Sequence, residues 1–467
     1  MSPSTPKGRP KETPKGTPPG DKRPGDPWSK AFDWIEANLG GRIVSYERQP
    51  RWRPAFYLDF ERKGITLPLY LRGARTEVKH GSRVLEHEMR VLQQLEKDGI
   101  PVPHVYGYCP DPAGIVMEQS AGRENLATAE TEAEGRAVLD EYIEILARTH
   151  SLDTAPFEAF GMAKPVGAEA LGLCDLANWE APYRECKSRP EPIIEFVLSW
   201  LKRNIPKDRS EVTFLSVDAG QFLFENSRIT ALIDLELACL GDPAADLGGM
   251  RGRDLSEPLG DLPRAFARYF ELRGQKIPTS VIDYHTVRFD LYTPMAIAPL
   301  VANPTPDTDI VQYLGWYWVW SRACLEVMAH GLGIELEAPT LPEPKITRFA
   351  GTHDALTRRL EKASEGGDFA AYETDAAYRA AEYLRRVERY GRDLEQNDLN
   401  EVGALLGRSF NHWIDADREL EQLIESAGAT RDEDLIRLFH RRTLRHESLL
   451  QPVLRELEGV KTQLLDD

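Results

Sequence analysis

The sequence predicts an α+β protein in which an antiparallel sheet with one docked helix precedes a mainly helical region and an all-α bundle. Residues 56–62 and 67–73 alternate apolar and polar side chains on either side of a Lys-Gly pair, as the strands of a hairpin do. Residues 85–95 then repeat apolar side chains at helical spacing. Beyond a proline-rich joint at 338–345, charged, alanine-rich and leucine-rich segments predict three or four amphipathic helices.

The remaining elements follow in chain order. Residues 115–122 form an apolar strand that runs into a connection of small residues, and amphipathic helices begin near Asp140. Helical patterns continue up to a hairpin at 221–233 and resume at Leu255. In the bundle, the predicted helical segments are 355–365, 369–405, 409–426 and 432–463.

These patterns divide the chain into five parts. The first part carries eight prolines and almost no apolar residue, so it cannot compensate the entropy of ordering and is predicted to be a disordered tail. The predicted parts are the tail at 1–27, a sheet lobe at 28–122, a helical lobe at 123–337, a linker at 338–348 and a helical C-terminal domain at 349–467.

Composition and charge exclude several classes of function. The chain has 467 residues and a formal net charge of -17, which argues against a general nucleic-acid binder and predicts repulsion from anionic membranes. The five cysteines are scattered without CxxC spacing, so neither a disulfide framework nor a zinc site is indicated. We therefore expect a cytoplasmic protein with no nucleic-acid partner and no membrane partner.

The hairpin at 221–233 places polar side chains at its open end. Gln221 to Phe224 and Ile229 to Ile233 are the predicted strands. In an antiparallel pair, the residue that enters the first strand lies beside the residue that leaves the second. Asp218 and Gln221 are therefore expected beside Asp234. Carboxylate and carboxamide oxygens are the ligands that suit a magnesium ion bound to phosphate.

The motifs around this hairpin resemble the aminoglycoside phosphotransferase and choline kinase-like family, whose members have the protein kinase fold. The main match is ALIDLELACLGDPAADLGG, which is similar to the family's segment of a magnesium-binding Asp followed by Gly-Asp-Pro and a second Asp. Supporting matches are EMRVLQQLEKDGIPVPHVYGY, IVMEQSAG and ILARTHSLD, in the family's order. The resemblance covers about residues 35–335 and implies a two-lobed kinase-like fold.

The resemblance also implies roles for individual residues. Asp234 is the main magnesium ligand and Gln221 the second. Arg72 takes the strand position of the phosphate-pairing lysine, and Glu88 takes the helix position that pairs with it. Arginine keeps the charge of lysine and adds a bidentate fork. The hinge whose backbone contacts the adenine comprises Met117, Glu118, Gln119 and Ser120.

Two features depart from the family pattern. The catalytic loop SVDAGQ has Ser216 in place of the family's histidine, and it is two residues shorter between Asp218 and Gln221. Either Asp218 is the base in a shortened loop, or the gapless register puts Ser216 at the base position. We favour Asp218 because serine cannot accept a proton near neutral pH. The glycine-rich loop lacks glycine, so Arg51 and Arg53 are the candidates for phosphate contact.

Other polar and aromatic residues are interpreted structurally. His150 lies on an apolar helix face and is expected to be a core histidine. Asp242 and Asp246 are expected to bond backbone amides. Arg251 and Arg253 either contact an anionic group, pair with aspartates or are solvated. The aromatic run Trp316, Tyr317, Trp318 and Trp320 is expected in the core, with one or two of the four facing a pocket.

Together these features predict a kinase of small molecules. The chain would transfer the γ-phosphoryl of ATP or GTP to a substrate hydroxyl with Mg²⁺ as cofactor. One alternative is a pseudokinase that binds nucleotide or a partner without transfer. In the other alternative, the C-terminal helices carry the function of the protein through homo-oligomerisation or partner docking. The sequence does not choose among antibiotics, choline-like amines, sugars and amino-acid alcohols.

Overall fold

The computed structural model describes residues 28–49, 53–74, 85–306, 308–364 and 369–466. The predicted tail at 1–27 and Arg51 lie outside these residues. Across the described ranges, none of the helices combines the length and the apolar character that crossing a membrane would require.

The N-terminal lobe is a five-stranded antiparallel sheet in the order β1-β2-β3-β5-β4. Lys63 and Gly64 both have positive φ, at 50° and 78°, which suits the tight turn between β2 and β3. The predicted hairpin and the helix after it are therefore confirmed. The elements are α1 (Trp28–Leu39), β1 (Arg42–Arg48), β2 (Ala55–Arg62), β3 (Ile65–Gly73), α2 (Leu85–Lys97), β4 (Val105–Pro110) and β5 (Ala113–Glu118).

Helix α1 and strand β1 were not predicted. The buried side chains of α1 include Ala31, Phe32 and Ile35, which are three and four positions apart and face the sheet. Phe32 packs edge-on against Phe56 of β2, with ring centroids 5.5 Å apart. The mixed composition of this region gives no clear helical pattern. The apolar face of α1 is recognisable only from its contacts with the sheet.

The C-terminal lobe is mainly helical and carries two small strand pairs. β6 pairs with β9, and β7 pairs with β8 as the hairpin that the sequence predicts. The elements are α3 (Glu132–Thr149), α4 (Ala155–Ala159), α5 (Gly167–Leu173), α6 (Leu176–Cys186), α7 (Pro192–Arg203), β6 (Thr213–Leu215), β7 (Phe222–Glu225), β8 (Arg228–Leu232), β9 (Cys239–Gly241), α8 (Ala244–Asp254), α9 (Leu262–Arg273), α10 (Thr279–Ala302) and α11 (Ile310–Leu332).

Five further helices follow in the described residues, and apolar side chains of the last three share a core with this lobe. Phe439 of the last helix contacts Phe196 of α7 at 5.8 Å between ring centroids. The helix predicted to reach residue 463 ends at Leu450, because Pro452 cannot continue it. These C-terminal helices are α12 (Ala350–Ala363), α13 (Phe369–Arg386), α14 (Arg392–Leu406), α15 (Trp413–Ala427) and α16 (Asp432–Leu450), with a π-helical turn at Val387–Gly391.

Candidate active site

The open end of the β7–β8 hairpin brings Gln221 next to the residue before Asp234. The amide of Ile233 donates a hydrogen bond to the Gln221 carbonyl at 3.2 Å. Asp234 then adopts the left-handed conformation, with φ 58° and ψ 47°, which aspartate tolerates better than most residues. This turn stops the strand, so the Asp234 carboxylate lies at the end of the hairpin.

The loop that carries Asp218 is held by a buried carboxylate. Asp246 of α8 accepts hydrogen bonds from the backbone amides of Ser216 and Val217, at 2.9 and 2.8 Å. Val217 has a φ of 67°, an unusual conformation for a β-branched residue that the surrounding bonds must hold in place. His150 contacts the same carboxylate at 3.1 Å and Tyr269 at 2.7 Å, so it is a hydrogen-bonded core histidine.

Asp218 is bonded on both sides. The Gln221 side-chain amide donates to Oδ2 at 2.7 Å, and the Arg253 guanidinium donates to both carboxylate oxygens, with Nε to Oδ1 at 2.9 Å. Burial raises the pKa of Asp218, although the Arg253 charge and hydrogen bond act in the opposite direction. The side-chain nitrogen of Gln221 faces Asp218, so the side-chain oxygen of Gln221 is the atom available to a cation.

A second set of ion pairs surrounds Arg72 of β3. Its Nε donates to Glu88 of α2 at 2.9 Å, and its Nη2 pairs with Asp234 and lies 3.7 Å from Glu236. Arg53 pairs with the same Glu236. Burial alone would lower the pKa of Arg72, but the three carboxylates more than offset this and raise it. The strand-to-helix ion pair and the hairpin carboxylate thus form one buried network.

Carboxylates are concentrated in this part of the structure. Five of them form ion pairs with the guanidinium groups of Arg53, Arg72 and Arg253: Glu88, Asp218, Asp234, Glu236 and Glu257. Burial is the main cause of the raised pKa values of Glu88, Asp218 and Glu257, and Asp234 adds to each. A carboxylate and a carboxamide lie at the end of the hairpin, on Asp234 and Gln221. This donor set fits magnesium, which prefers hard oxygen ligands.

The predicted hinge follows directly from the sheet. Met117 and Glu118 end β5, where they pair with Tyr70 and Leu69 of β3, and Gln119 donates its amide to the Pro68 carbonyl at 3.1 Å. Ser120 begins the connection to the C-terminal lobe. This connection passes close to β7, because a Cβ at Gly122 would lie 2.7 Å from the Phe224 carbonyl oxygen.

The remaining sequence predictions have clear structural outcomes. Asp242 accepts two bonds from Arg209, at 2.6 and 2.8 Å, and one from the Ala244 amide. Arg251 pairs with Asp283 at 2.6 Å, so both candidate arginines are paired with aspartates. Two residues of the aromatic run, Tyr317 and Trp318, line a cavity of about 530 Å³ between the C-terminal lobe and the C-terminal helices.

Two features of the site escaped sequence reasoning. Glu236 was not a candidate, although it joins Arg53 and Arg72. Arg253 was a candidate for an anion or an aspartate, but its partner Asp218 could not be named. The available signal was the Asp-x-Glu spacing after the hairpin, which places two carboxylates on one tight turn. Contacts between residues 183 positions apart leave no local pattern.

Comparisons with known proteins identify the fold and the family. The model of the phosphotransferase enzyme family that includes the aminoglycoside phosphotransferases matches residues 53–288. A solved structure described as a candidate aminoglycoside phosphotransferase from Ralstonia eutropha superposes with a TM-score of 0.50 at 19% identity, covering 66% of this chain and 98% of that one. The fold is therefore kinase-like, with a sheet lobe and a helical lobe.

The chain belongs to the phosphotransferase enzyme family. Among curated proteins, it is 26% identical over 221 residues to human acyl-CoA dehydrogenase family member 11, covering 44% of this chain and 27% of that protein. It is 24% identical over 237 residues to mouse acyl-CoA dehydrogenase family member 10, covering 46% and 21%. The matched segment thus spans about a quarter of the length of these relatives.

Proposed function

We propose that this chain is a magnesium-dependent phosphotransferase that moves the γ-phosphoryl group of ATP or GTP to a hydroxyl group of a small molecule. The observation that carries the proposal is the position of Asp234 at the end of the hairpin, where it follows the residue that bonds Gln221 and is ion-paired with Arg72. Oxygen ligands beside a guanidinium suit a magnesium ion bound to nucleotide phosphates. The family membership of residues 53–288 supports the same chemistry.

Each residue of the cluster has a proposed role. Asp234 and the side-chain oxygen of Gln221 bind the magnesium ion. Arg72 contacts the nucleotide phosphates, and Glu88 positions Arg72. Asp218 orients or deprotonates the substrate hydroxyl. Its position beside Gln221, in a loop whose strained backbone is fixed by Asp246, supports Asp218 over Ser216 as the base. The backbone from 117 to 120 contacts the adenine.

A nucleotide-binding module without transfer is the second candidate. Arg253 and Gln221 donate three hydrogen bonds to the carboxylate oxygens of Asp218. Burial raises the pKa of Asp218, but the Arg253 charge and hydrogen bond act to lower it, which weakens Asp218 as a base. The transferase remains the preferred proposal, because phosphoryl transfer draws mainly on positioning and charge stabilisation and the base contributes less. Homo-oligomerisation through the C-terminal helices and cytoplasmic location stay predictions.

Phosphoryl transfer to a panel of hydroxyl compounds tests the proposal. The panel contains an aminoglycoside, choline, a sugar, an amino-acid alcohol and a hydroxyacyl-CoA, the last because the curated relatives are named acyl-CoA dehydrogenases. Nucleoside diphosphate release is measured with Mg·ATP and Mg·GTP, and products are identified by mass. We expect one acceptor to gain a single phosphoryl group.

Matched variants identify the residues that act. Asp218→Asn should reduce turnover by about 10²–10⁴-fold with unchanged nucleotide affinity, whereas Asp234→Ala should weaken binding of the magnesium nucleotide. The exposed Asp208→Asn is the control and should match the parent. Parent-like turnover in both site variants would refute the assignment. Nucleotide binding without transfer to any acceptor would favour the second candidate.

A further inference from the structure

Two cysteines far apart in sequence meet behind the proposed active site. Cys174 follows the last residue of α5, and Cys239 is the first residue of β9. Their sulfur atoms lie 3.6 Å apart and form a thiol–thiol hydrogen bond. Cys174 is half-buried as a residue and Cys239 is buried.

The backbone is shaped to make this contact. Cys174 has a φ of 49° and a ψ of -123°, a combination that residues with a side chain rarely adopt and that tertiary contacts must impose. A glycine faces the sulfur: a Cβ at Gly241 would lie 3.2 Å from Cys174 Sγ and 2.6 Å from Leu215 Cδ1. Glycine at this position thus leaves the space that the Cys174 sulfur occupies against β9.

A buried arginine lies next to the thiol pair. Arg288 of α10 is fully buried, and its Nη1 contacts Asp175 at 3.3 Å and the Tyr292 hydroxyl at 2.7 Å. Within the described part of the chain, its Nε and Nη2 atoms have no hydrogen-bond partner. Arg288 also interacts electrostatically with both cysteines. A buried cation with two unused donors favours an anion nearby, and a thiolate would supply one.

The environment of Cys174 agrees with this expectation. Its hydrogen bond with Cys239, aided by the Arg288 charge, outweighs the effect of burial and lowers the pKa of the Cys174 thiol. A lowered pKa raises the thiolate fraction at neutral pH, and the thiolate is the nucleophilic form.

We propose that Cys174 and Cys239 are a reversible dithiol–disulfide pair, oxidised by hydroperoxides, with Cys174 as the attacking thiolate and Arg288 as its positioning cation. In the first step, Cys174 sulfur attacks a peroxide oxygen: the S–O bond forms, the O–O bond breaks, and the leaving oxygen takes a proton. In the second step, Cys239 sulfur attacks Cys174: the S–S bond forms, and the S–O oxygen leaves with the Cys239 proton as water. The two thiols lose two electrons and two protons, and the peroxide is reduced.

A metal ion is the competing occupant. Cys174, Asp175 and Cys239 each offer a ligand atom, and these atoms lie within 4.8 Å of one another. However, Asp175 already accepts hydrogen bonds from Tyr292 and Arg288. A dication there would add positive charge beside a buried guanidinium that has an incomplete set of partners. The Arg288 guanidinium favours a thiolate, and it therefore favours oxidation over metal binding.

The disulfide would act on the loops of the site. Cys239 pairs with Leu215 in the β6–β9 ladder, and Leu215 precedes the loop that carries Asp218. Formation of a disulfide bond requires the two sulfur atoms, which lie 3.6 Å apart, to move closer, and the bond would join the end of α5 covalently to β9. Oxidation is then expected to lower phosphoryl transfer by about tenfold or more, since small displacements of reacting groups are costly. This consequence rests on the proposed function, whereas the disulfide does not.

Thiol counting on the full chain tests the proposal directly. The reduced protein is treated with hydrogen peroxide and quenched, and free thiols are counted in denaturant before peptide mapping. We expect two of the five thiols to disappear, a linked peptide that contains Cys174 and Cys239, and full recovery with dithiothreitol. The Cys186→Ser control should still lose two thiols, whereas Cys239→Ser should form no internal disulfide.

Several results would overturn the proposal. Five intact thiols after millimolar peroxide would do so, as would a linkage that involves Cys109, Cys186 or Cys324. Zinc bound in a one-to-one ratio to the purified protein and lost from Cys174→Ser would establish the metal site instead. If the two thiols are lost without any change in phosphoryl transfer, the proposed dithiol–disulfide pair stands and only its effect on the active site is rejected.

The role of Arg288 has its own readout. Arg288→Met should slow alkylation of Cys174 by iodoacetamide at pH 7 by about tenfold, because the thiolate fraction falls with the cation removed. Should this variant fail to fold, the alkylation profile of the parent decides: its midpoint for Cys174 must lie below the value of about 8.5 for a free cysteine. A midpoint at or above that value would refute thiolate stabilisation.

Discussion

Arg253 controls the charge state of Asp218. Its guanidinium donates to both carboxylate oxygens, and its own partners also include Glu257 at 3.6 Å. Burial raises the pKa of Asp218, and the Arg253 cation limits this rise. A base with a raised pKa must lose its proton to act, so activity falls as the pH decreases through that pKa.

Arg253→Gln should therefore move the acid limb of the pH profile of kcat/KM to higher pH. Removing the cation removes the main influence that lowers the pKa of Asp218, and a larger fraction of the base is protonated at each pH. The measurement is the rate of phosphoryl transfer from pH 5 to 9. Arg418 forms an exposed ion pair on α15, so Arg418→Gln is the control. An acid limb at the parental pH in Arg253→Gln would contradict this assignment.

Asp290 is a buried acid of a different kind. It is fully buried on α10, and neither carboxylate oxygen has a hydrogen-bond partner among the residues of the described ranges. Burial raises the pKa of Asp290 well above its ordinary value. The folded state thus binds this proton more tightly than the unfolded state, so stability falls as the pH rises from the unfolded value of about 4 towards the folded pKa.

Asp290→Asn removes this dependence. The free energy of unfolding should rise by about 1–3 kcal/mol at pH 7 and change little at pH 4. At pH 7 folding requires Asp290 either to take up a proton or to bury an unpaired charge, whereas near pH 4 the acid is already partly protonated in the unfolded chain. Urea unfolding at the two pH values measures the difference. The matched change Asp283→Asn breaks the ion pair with Arg251 and should destabilise the fold at pH 7. Equal effects of Asp290→Asn at both pH values would contradict the assignment.

At the scale of elements, helix α8 fixes the catalytic loop through both its charge and its backbone. Asp246 bonds the loop amides, and Gly249, one turn further on, lies so close to the loop that a Cβ would overlap the Val217 carbonyl oxygen. Gly249→Ala must push the loop and helix apart.

We expect Gly249→Ala to lower the free energy of unfolding by about 1–3 kcal/mol, since overpacking forces backbone shifts, and to reduce phosphoryl transfer. Gly351→Ala is the matched control on helix α12. A Cβ there meets no heavy atom within 4 Å, so this change should be neutral or stabilising by up to about 1 kcal/mol. Thermal unfolding and turnover are measured for both variants. A Gly249→Ala variant that behaves like the control would contradict this prediction.

Short-range patterns made several elements predictable. The Lys63-Gly64 turn and the hairpin at 221–233 carry alternating side chains around turn residues, and Asp234 follows its strand directly. The placement of Asp218 near Gln221 followed from the same local geometry. Glu236, the Arg253 partner and the Cys174–Cys239 contact depend on chain segments that meet only after folding, so no local pattern indicates them.

For the whole molecule, the C-terminal segment returns to the kinase-like lobe. The Gln463 side chain donates to Asp254 at 2.9 Å, and Arg251 donates to the Gln463 carbonyl at 3.0 Å. Leu465 is 6% exposed within the core of that lobe. The segment thus braces α8, the helix that carries Arg253. The domain boundaries given by the sequence stay a prediction, and this contact argues that the parts depend on one another.

Leu465→Ala should therefore destabilise the protein by about 2–5 kcal/mol, as expected for a buried leucine that leaves a cavity. Its neighbour provides the control, because Leu464 is 44% exposed and Leu464→Ala should change stability by no more than about 0.5 kcal/mol. Chemical denaturation of both variants gives the comparison. Similar stabilities for the two would mean that the segment does not pack on the lobe in solution.

The central claim is that Asp234 and Gln221 at the hairpin end bind a magnesium nucleotide beside Arg72. Calorimetric titration of the full chain with ATP, in the presence and absence of magnesium, tests it most directly. We predict magnesium-dependent binding that raises the melting temperature, and a loss of at least about tenfold in affinity in Asp234→Asn, worth roughly 1.4 kcal/mol. The absence of binding at millimolar Mg·ATP, or equal affinity in Asp234→Asn, would contradict the account.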